Sequence, residues 1–314
     1  MSCHRAKLAA VIAFAAAVTL VRGQEQATFR SGVEVVSVSV SVLAGGKPIP
    51  SLTVADFALT DRGVAQTIDE VMAVSTPIDV SLVVDCSGST ANSLQRYATD
   101  IRDIAAMLRP DDRLRVVTFG TGITELLPLQ APAAALKLAP FQTAGMTSVN
   151  DAIAGVLVRS VPLGRRHLAV VFSDGIDTMS VTTEQGVREL AGHSETVLHL
   201  VLTAGAGLPK SEIQVGLPRG LRQSANGVAT LLEAAELTGG RRGWPGAFSG
   251  SLTRPFREAF DDFRSSYVLR YRPNGVAAAG WHELNVRVTR PGSHIVRARR
   301  GYYSPSAGVS RTGG

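Results

Sequence analysis

From Ile78 to Phe263 the sequence alternates short apolar runs with stretches of helical period. No other feature restricts the chain as much. Ile78–Val84, Arg113–Phe119, His167–Phe172 and Glu195–Leu202 read as strands. Between and after them, Leu94–Leu108, Val149–Arg159, Thr183–Ala191, Ser224–Thr238 and Leu252–Phe263 read as helices, and Ala131–Leu138 also has helical character. Pro110 closes the first helix and Gly239-Gly240 stops the fourth. Ile123–Leu127 reads as a short antiparallel edge. Nearly continuous apolar strands need cover on both faces, and parallel neighbours need crossovers long enough for a helix. The pattern therefore predicts an α/β fold: a mostly parallel sheet with helices on both sides.

The flanks follow another rhythm. Val36, Val38, Val40 and Val42 alternate with polar residues, so Gly32–Val42 reads as a half-buried antiparallel strand. Phe57–Thr60 and Gln66–Val74 follow, joined by a turn at Asp61-Arg62-Gly63. After Ser266 the alternation returns in Tyr267–Tyr271, Trp281–Val288 and Ile295–Tyr303. Three strands alone are marginal. The expectation is that an N-terminal β segment, residues 24–76, and a C-terminal β segment, residues 267–304, pair into one small β-sandwich beside the α/β part, residues 77–266. Residues 305–314 read as a disordered tail.

Residues 1–23 read as a secretory signal peptide: Arg5 and Lys7, then apolar Leu8–Val21, then a small-residue site that predicts cleavage after Gly23. The apolar run is short for a membrane span, and no later segment is apolar enough to span. A secreted or periplasmic location follows. Cys3 leaves with the leader, so Cys86 is the single cysteine left and forms no internal disulfide. Loss of Arg5, Lys7 and Arg22 takes the basic count from 32 to 29 against 26 acidic residues, a net charge of +3. Arg297, Arg299 and Arg300 lie in a strand pattern without stacking aromatics, which reads as a solvated face and not as a nucleic-acid site.

Chemistry concentrates at strand ends. SLVVDCSGST puts Asp85 at the tip of a buried strand, with Ser87 and Ser89 two and four residues on. Thr147 lies in a loop just ahead of a helix, and Asp174 follows the His167–Phe172 strand. Ligands of open α/β sheets sit at the carboxyl ends of strands. Two carboxylates and three hydroxyls are hard oxygen donors that suit Mg²⁺, or Ca²⁺ and Mn²⁺, and not zinc.

Asp85-Cys86-Ser87-Gly88-Ser89, the later Thr147 and Ser173-Asp174-Gly175 resemble the von Willebrand factor type A domain and its metal-ion-dependent adhesion site. The resemblance covers roughly Ile78 to Ser266. It implies a Rossmann-like, doubly wound sheet. It further implies a divalent cation held by Asp85, Ser87, Ser89, Thr147 and Asp174, and a protein partner whose Asp or Glu completes the metal. The flanks SLTVADFALTDRGVAQTI, YVLRYRP and HELNVRVTRPGSHIVRARRGYYSP are similar to a bacterial subgroup labelled after acidobacteria. Thr90 and Met146 depart from that family's pattern, at positions where a hydrophobic residue and a second glycine are common.

Other readings stand beside this one. Ser87 or Ser89 as a nucleophile needs a base, with His167, His193 and His199 as candidates, and no G-x-S-x-G elbow is present. Cys86 reads as packing beneath the loop, Asp151 and Asp177 as cap or turn residues, and Trp244 and Trp281 as core or inter-domain anchors. A structural component of an envelope assembly would keep the fold without using the metal. The reading taken forward is an exported adhesion-type binding module and not an enzyme.

Overall fold

The computed structural model describes residues 35–72, 76–138, 140–142, 145–202, 219–241 and 251–304. The leader, the tail and Trp244 lie outside the described residues. In chain order the elements are β1 (Val36–Ala44), β2 (Lys47–Pro48), β3 (Phe57–Asp61), β4 (Val64–Gln66), β5 (Ile68–Met72), β6 (Ile78–Asp85) and α1 (Leu94–Met107). Then come β7 (Arg113–Phe119), β8 (Ile123–Gln130), α2 (Val149–Leu157), β9 (Arg166–Ser173), α3 (Glu184–His193) and β10 (Val197–Leu202). The last are α4 (Arg219–Leu237), α5 (Thr253–Arg264), β11 (Tyr267–Tyr271), β12 (Gly280–Val288), β13 (Ile295–Ala298) and β14 (Gly301–Ser304).

The fold is α/β. Its central sheet has the order β10-β9-β6-β7-β8, parallel except for the antiparallel edge β8. Both faces are buried, which is why the strands read as unbroken apolar runs. Val80, Leu82 and Val84 of β6 join one cluster with Tyr97, Ile101 and Ile104 of α1 and Phe256, Phe260 and Phe263 of α5. Val83 turns the other way and joins a second cluster with Val149 and Ile153 of α2, Val187 of α3 and Leu231 and Leu232 of α4. The chain leaves β6 toward β7 on one side and later returns to β9 and β10 on the other. The direction of winding thus reverses between β6 and β9, where such sheets open a crevice.

The flanking strands form two antiparallel sheets, β13-β1-β11-β5 and β14-β12-β3-β4, with β2 pairing to β1. Val36 faces Tyr271 and Val40 faces Tyr267 across β1 and β11. Val38, Val40, Leu269 and Tyr271 of one sheet share a core with Leu59, Leu284 and Tyr302 of the other. Asp61 is buried at its centre, where the hydroxyls of Tyr271 and Tyr302 donate to it at 2.8 and 3.1 Å and His282 Nδ1 lies 2.9 Å away.

Four local expectations change. Residues Pro132–Lys137 form a 3₁₀ helix, not an α-helix, with proline at its first position. Gln66–Val74 is not one strand: β4 pairs with β3 while β5 pairs with β11 in the other sheet. Ile295–Tyr303 likewise splits, β13 joining β1 and β14 joining β12. The chain changes sheet at Arg299-Arg300, where Arg299 N–H donates to Ser39 O and Arg300 N–H to Leu237 O. Gly301 permits the step, since a Cβ there would lie 2.3 Å from the Trp281 ring. The arginines are not a shared solvated face. Arg299 is 7% exposed and donates to the carbonyls of Gly192 and Gly301, and Arg297 reaches Asp262 and Gly239 O. Only Arg300 remains largely outside, paired with Glu236 at 2.8 Å.

Candidate metal centre

β6 ends on Asp85, which is 1% exposed. Its carboxylate turns the chain: Oδ1 accepts the Ser87 N–H at 2.8 Å. The Thr90 hydroxyl donates to the carbonyls of Asp85 and Ser87 at 2.9 and 3.0 Å and closes the turn. This explains a hydroxyl at position 90 where an apolar side chain was the commoner expectation. Asp85 Oδ2 accepts from the Ser173 hydroxyl at 2.8 Å, and that oxygen in turn accepts the Gly175 N–H at 3.0 Å. One serine therefore ties the tips of β6 and β9 together across the reversal point. No Lys, Arg or His among the described residues pairs with Asp85. Burying a carboxylate without a counter-charge costs several kcal/mol, roughly, even with hydrogen bonds.

Thr147 comes from the loop before α2, and two neighbours fix that loop. Gly88 N–H donates to Gly145 O at 3.1 Å, and Met146 N–H donates to the Thr121 hydroxyl at 3.1 Å. Gly145 has φ +33, and a Cβ there would lie 2.9 Å from the Thr121 hydroxyl, so glycine is needed at this approach. On the other side Thr147 N–H donates to Thr178 Oγ1 at 2.8 Å, while Thr147 O accepts N–H groups of Thr178 and Met179 at 2.9 and 3.2 Å. The Thr147 backbone is thus held at both its N–H and its carbonyl. Its hydroxyl makes no hydrogen bond among the described residues, although the residue is 7% exposed.

Asp174 follows β9 and is half-buried, and its Oδ1 accepts the Ile176 N–H at 2.9 Å. Ser87 is buried in the turn. The Ser89 backbone lies in the 3₁₀ turn Gly88–Ser93, and its side chain falls outside the described atoms. The segments bearing Asp85 and Ser87, Thr147, and Asp174 are therefore joined to one another by the bonds of Ser173, Gly145 and Thr178.

Asp151 and Asp177 act as ties. Asp177 accepts N–H groups of Met179, Ser180 and Asn150, the last belonging to the first turn of α2. Asp151 accepts those of Val181 and Thr182 at 3.0 and 2.8 Å. Together they zip the loop after Asp174 onto the start of α2. Sequence reasoning did not foresee the parts played by Ser173 and Thr178. The signal for Ser173 was a hydroxyl closing an otherwise apolar strand beside Asp174.

The donor chemistry fits a hard cation. Cys86 offers no thiolate, because burial and the neighbouring Asp85 charge push its thiol up to about 12. Among the described residues no group of three or more His, Cys, Asp or Glu gathers anywhere. Hydroxyl, carbonyl or water oxygens would complete a ligand set built on these carboxylates, a donor chemistry unlike the Cys and His sets of structural zinc. The histidines are engaged elsewhere. His167, at the opposite end of β9 from the site, lies between the hydroxyls of Ser81 and Thr196 at 2.8 Å each. His193 stacks on Tyr303, and His199 is buried within β10.

No family model matches the chain, and no curated protein matches it. Several solved structures are similar. A von Willebrand factor type A structure from Catenulispora acidiphila is 12% identical, with 89% of this chain and 76% of that one covered and a TM-score of 0.40. The conserved hypothetical protein BatB from Bacteroides thetaiotaomicron is 15% identical over 59% of this chain and 98% of its own, with a TM-score of 0.41. Proximal thread matrix protein 1 from the mussel byssus is 12% identical with a TM-score of 0.37, over 41% of this chain and 38% of the mussel protein's length. These scores are low, and the strand order and loop bonds carry the fold without them. Among solved structures, then, the chain is similar to von Willebrand factor type A domains.

Proposed function

We propose that the chain is an exported binding module. Its doubly wound sheet would present one divalent cation, Mg²⁺ or else Ca²⁺ or Mn²⁺, beside a small β-sandwich made by the flanking strands. Asp85, Ser87, Ser89, Thr147 and Asp174 would hold the ion. When bound, the cation supplies a Lewis-acidic position that accepts a carboxylate from a partner protein. The chain's own residues do the remainder. Ser173 holds Asp85 in place, Thr178 and Gly145 set the Thr147 loop, and Asp151 and Asp177 keep the loop after Asp174 against α2. The role is adhesion by coordination and not catalysis.

The observation that supports this best is the pairing of two unusual groups at adjoining loops. Asp85 is a buried carboxylate with no cationic partner among the described residues, and the Thr147 hydroxyl in the adjoining loop makes no hydrogen bond among them and is not sealed from solvent. A dication resolves both. Titration calorimetry of the purified protein with Mg²⁺, Ca²⁺ and Mn²⁺ tests it: uptake of one equivalent of at least one ion is expected, lost in Asp85→Ala and weakened in Thr147→Ala. Absence of uptake for all three ions would defeat the reading. N-terminal sequencing of exported protein is expected to begin after Gly23.

A further inference from the structure

The loops around the candidate centre carry an apolar rim. Thirteen large hydrophobic side chains are exposed among the described residues, and five of them cluster at this one end. They are Ile123, 47% exposed, Met146 at 51%, Ile176 and Met179 at 38% each, and Val181 at 92%. Backbone bonds tie together the segments that carry these side chains. Met146 is tied to Thr121 near the start of β8, Met179 to Thr147, and Ile176 to Asp174. Exposed apolar groups gathered around a polar point mark an interaction surface more often than a solvated one.

The same loops lack positive side chains. Residues 86–93, 120–122, 145–148 and 174–183 contain no Lys and no Arg. Their charged groups are Asp174 and Asp177, and Asp177 is consumed by backbone donors. Among the described residues of these loops, an arriving ligand acid meets apolar side chains and no guanidinium or ammonium. A phosphate-rich or multiply acidic partner would therefore leave most of its charge unpaired against this rim.

We propose that the partner presents a single Asp or Glu set between apolar side chains, on a protein segment whose hydrophobic flanks cover Met146, Met179 and Val181 while the acid reaches the centre. The inference rests on the metal-held carboxylate proposed above and adds the sequence context of that carboxylate. Two methionines suit the task, since their flexible thioethers adapt to more than one flank.

The test is selection of a random heptapeptide phage library on the full exported protein, with Mg²⁺ and with EDTA. The expected result is Mg²⁺-dependent enrichment of peptides with one acid adjacent to Leu, Ile, Val, Met or Phe. Replacing the flanking apolar residue by Ser is expected to weaken a selected synthetic peptide about tenfold, the worth of one buried large side chain. Met146→Ser with Met179→Ser is expected to do the same, with Mg²⁺ uptake by calorimetry followed alongside. Val181→Ser, at a fully surface position, gives a second reading should the double variant misfold. Enrichment of acidic runs, of basic peptides, or of acids without apolar flanks would overturn the proposal while Mg²⁺ uptake still upheld the centre. Concentration-dependent dimerisation reversed by Met146→Ser would also overturn it, because a second copy would then be the occupant. Failure of Mg²⁺ uptake would instead strike the centre itself.

Discussion

Single residues in this chain separate cleanly into those that hold the fold and those held ready by it. The Thr147 hydroxyl makes no hydrogen bond among the described residues, so Thr147→Ala should change unfolding free energy by less than about 0.5 kcal/mol while weakening cation uptake. Tyr271 is the contrast, since its hydroxyl donates to buried Asp61 at 2.8 Å. Tyr271→Phe leaves that carboxylate short of a donor and should cost about 1–3 kcal/mol in urea denaturation. Buried histidines add a pH dependence. Burial holds His167 and His199 down to about 4, against an ordinary 6.5. Between those values the unfolded chain binds protons that the native one refuses, so stability falls as pH drops from about 6.5 toward about 4. The slope should approach about 1.4 kcal/mol per pH unit for each ring. Denaturation midpoints at pH 7.0 and 5.0 check this; equal midpoints would refute it. The five candidate ligands were legible as oxygen-bearing residues at strand tips. Ser173 and Thr178 were not, because their parts depend on which tips adjoin, and a strand order cannot be read from one strand's composition.

Elements were legible where burial is periodic and obscure where it is not. β6, β7 and β9 announced themselves as apolar runs because helices cover both faces. The end of α4 was equally plain: Gly239, at φ +87, follows the helix, and Gly240 N–H returns to Ala235 O at 2.9 Å. Gly239→Ala should cost about 1 kcal/mol or more, from a strained φ and a Cβ 2.9 Å from Arg299 N. The strands that change sheets were hidden. Residues 295–303 keep an even alternation through Arg299, so nothing in the pattern says that β13 and β14 have different partners. Arg299 was also misread, since a guanidinium that caps a buried helix end looks in sequence like one facing water. α5 is the most exacting helix. Phe256, Phe260 and Phe263 face the sheet, and Asp100 of α1 accepts the Leu252 N–H at its start at 2.8 Å. Phe256→Ala should destabilise by about 3–5 kcal/mol in thermal and chemical unfolding.

At the scale of the molecule, the two ends of the described chain depend on each other. β1 lies between β11 and β13, whose partners are more than 220 residues away in sequence, and its valines fill a core that the early strands cannot build alone. A chain ended after Ser266 loses β11 to β14. Limited proteolysis of it should cut within residues 35–72 at once, while the parallel sheet persists longer. The seam between the sheets is built at helix ends. Arg299 takes the Gly192 carbonyl near the end of α3, Arg297 the Gly239 carbonyl just after α4 together with Asp262 of α5, and Arg166 the carbonyls of Phe263 and Ser266. Each guanidinium meets the negative pole of a helix.

The register of β1 against β11 also has a mechanical meaning. The strands run oppositely, so Val36, where β1 begins, sits by Tyr271, and Tyr267, where β11 begins, sits by Val40. Tension between the chain preceding Val36 and the parallel sheet preceding Tyr267 would draw the two strands along their length from opposite ends. Their cross-links would then have to yield in concert and not one after another, the geometry of a lap joint and not of a zip fastener.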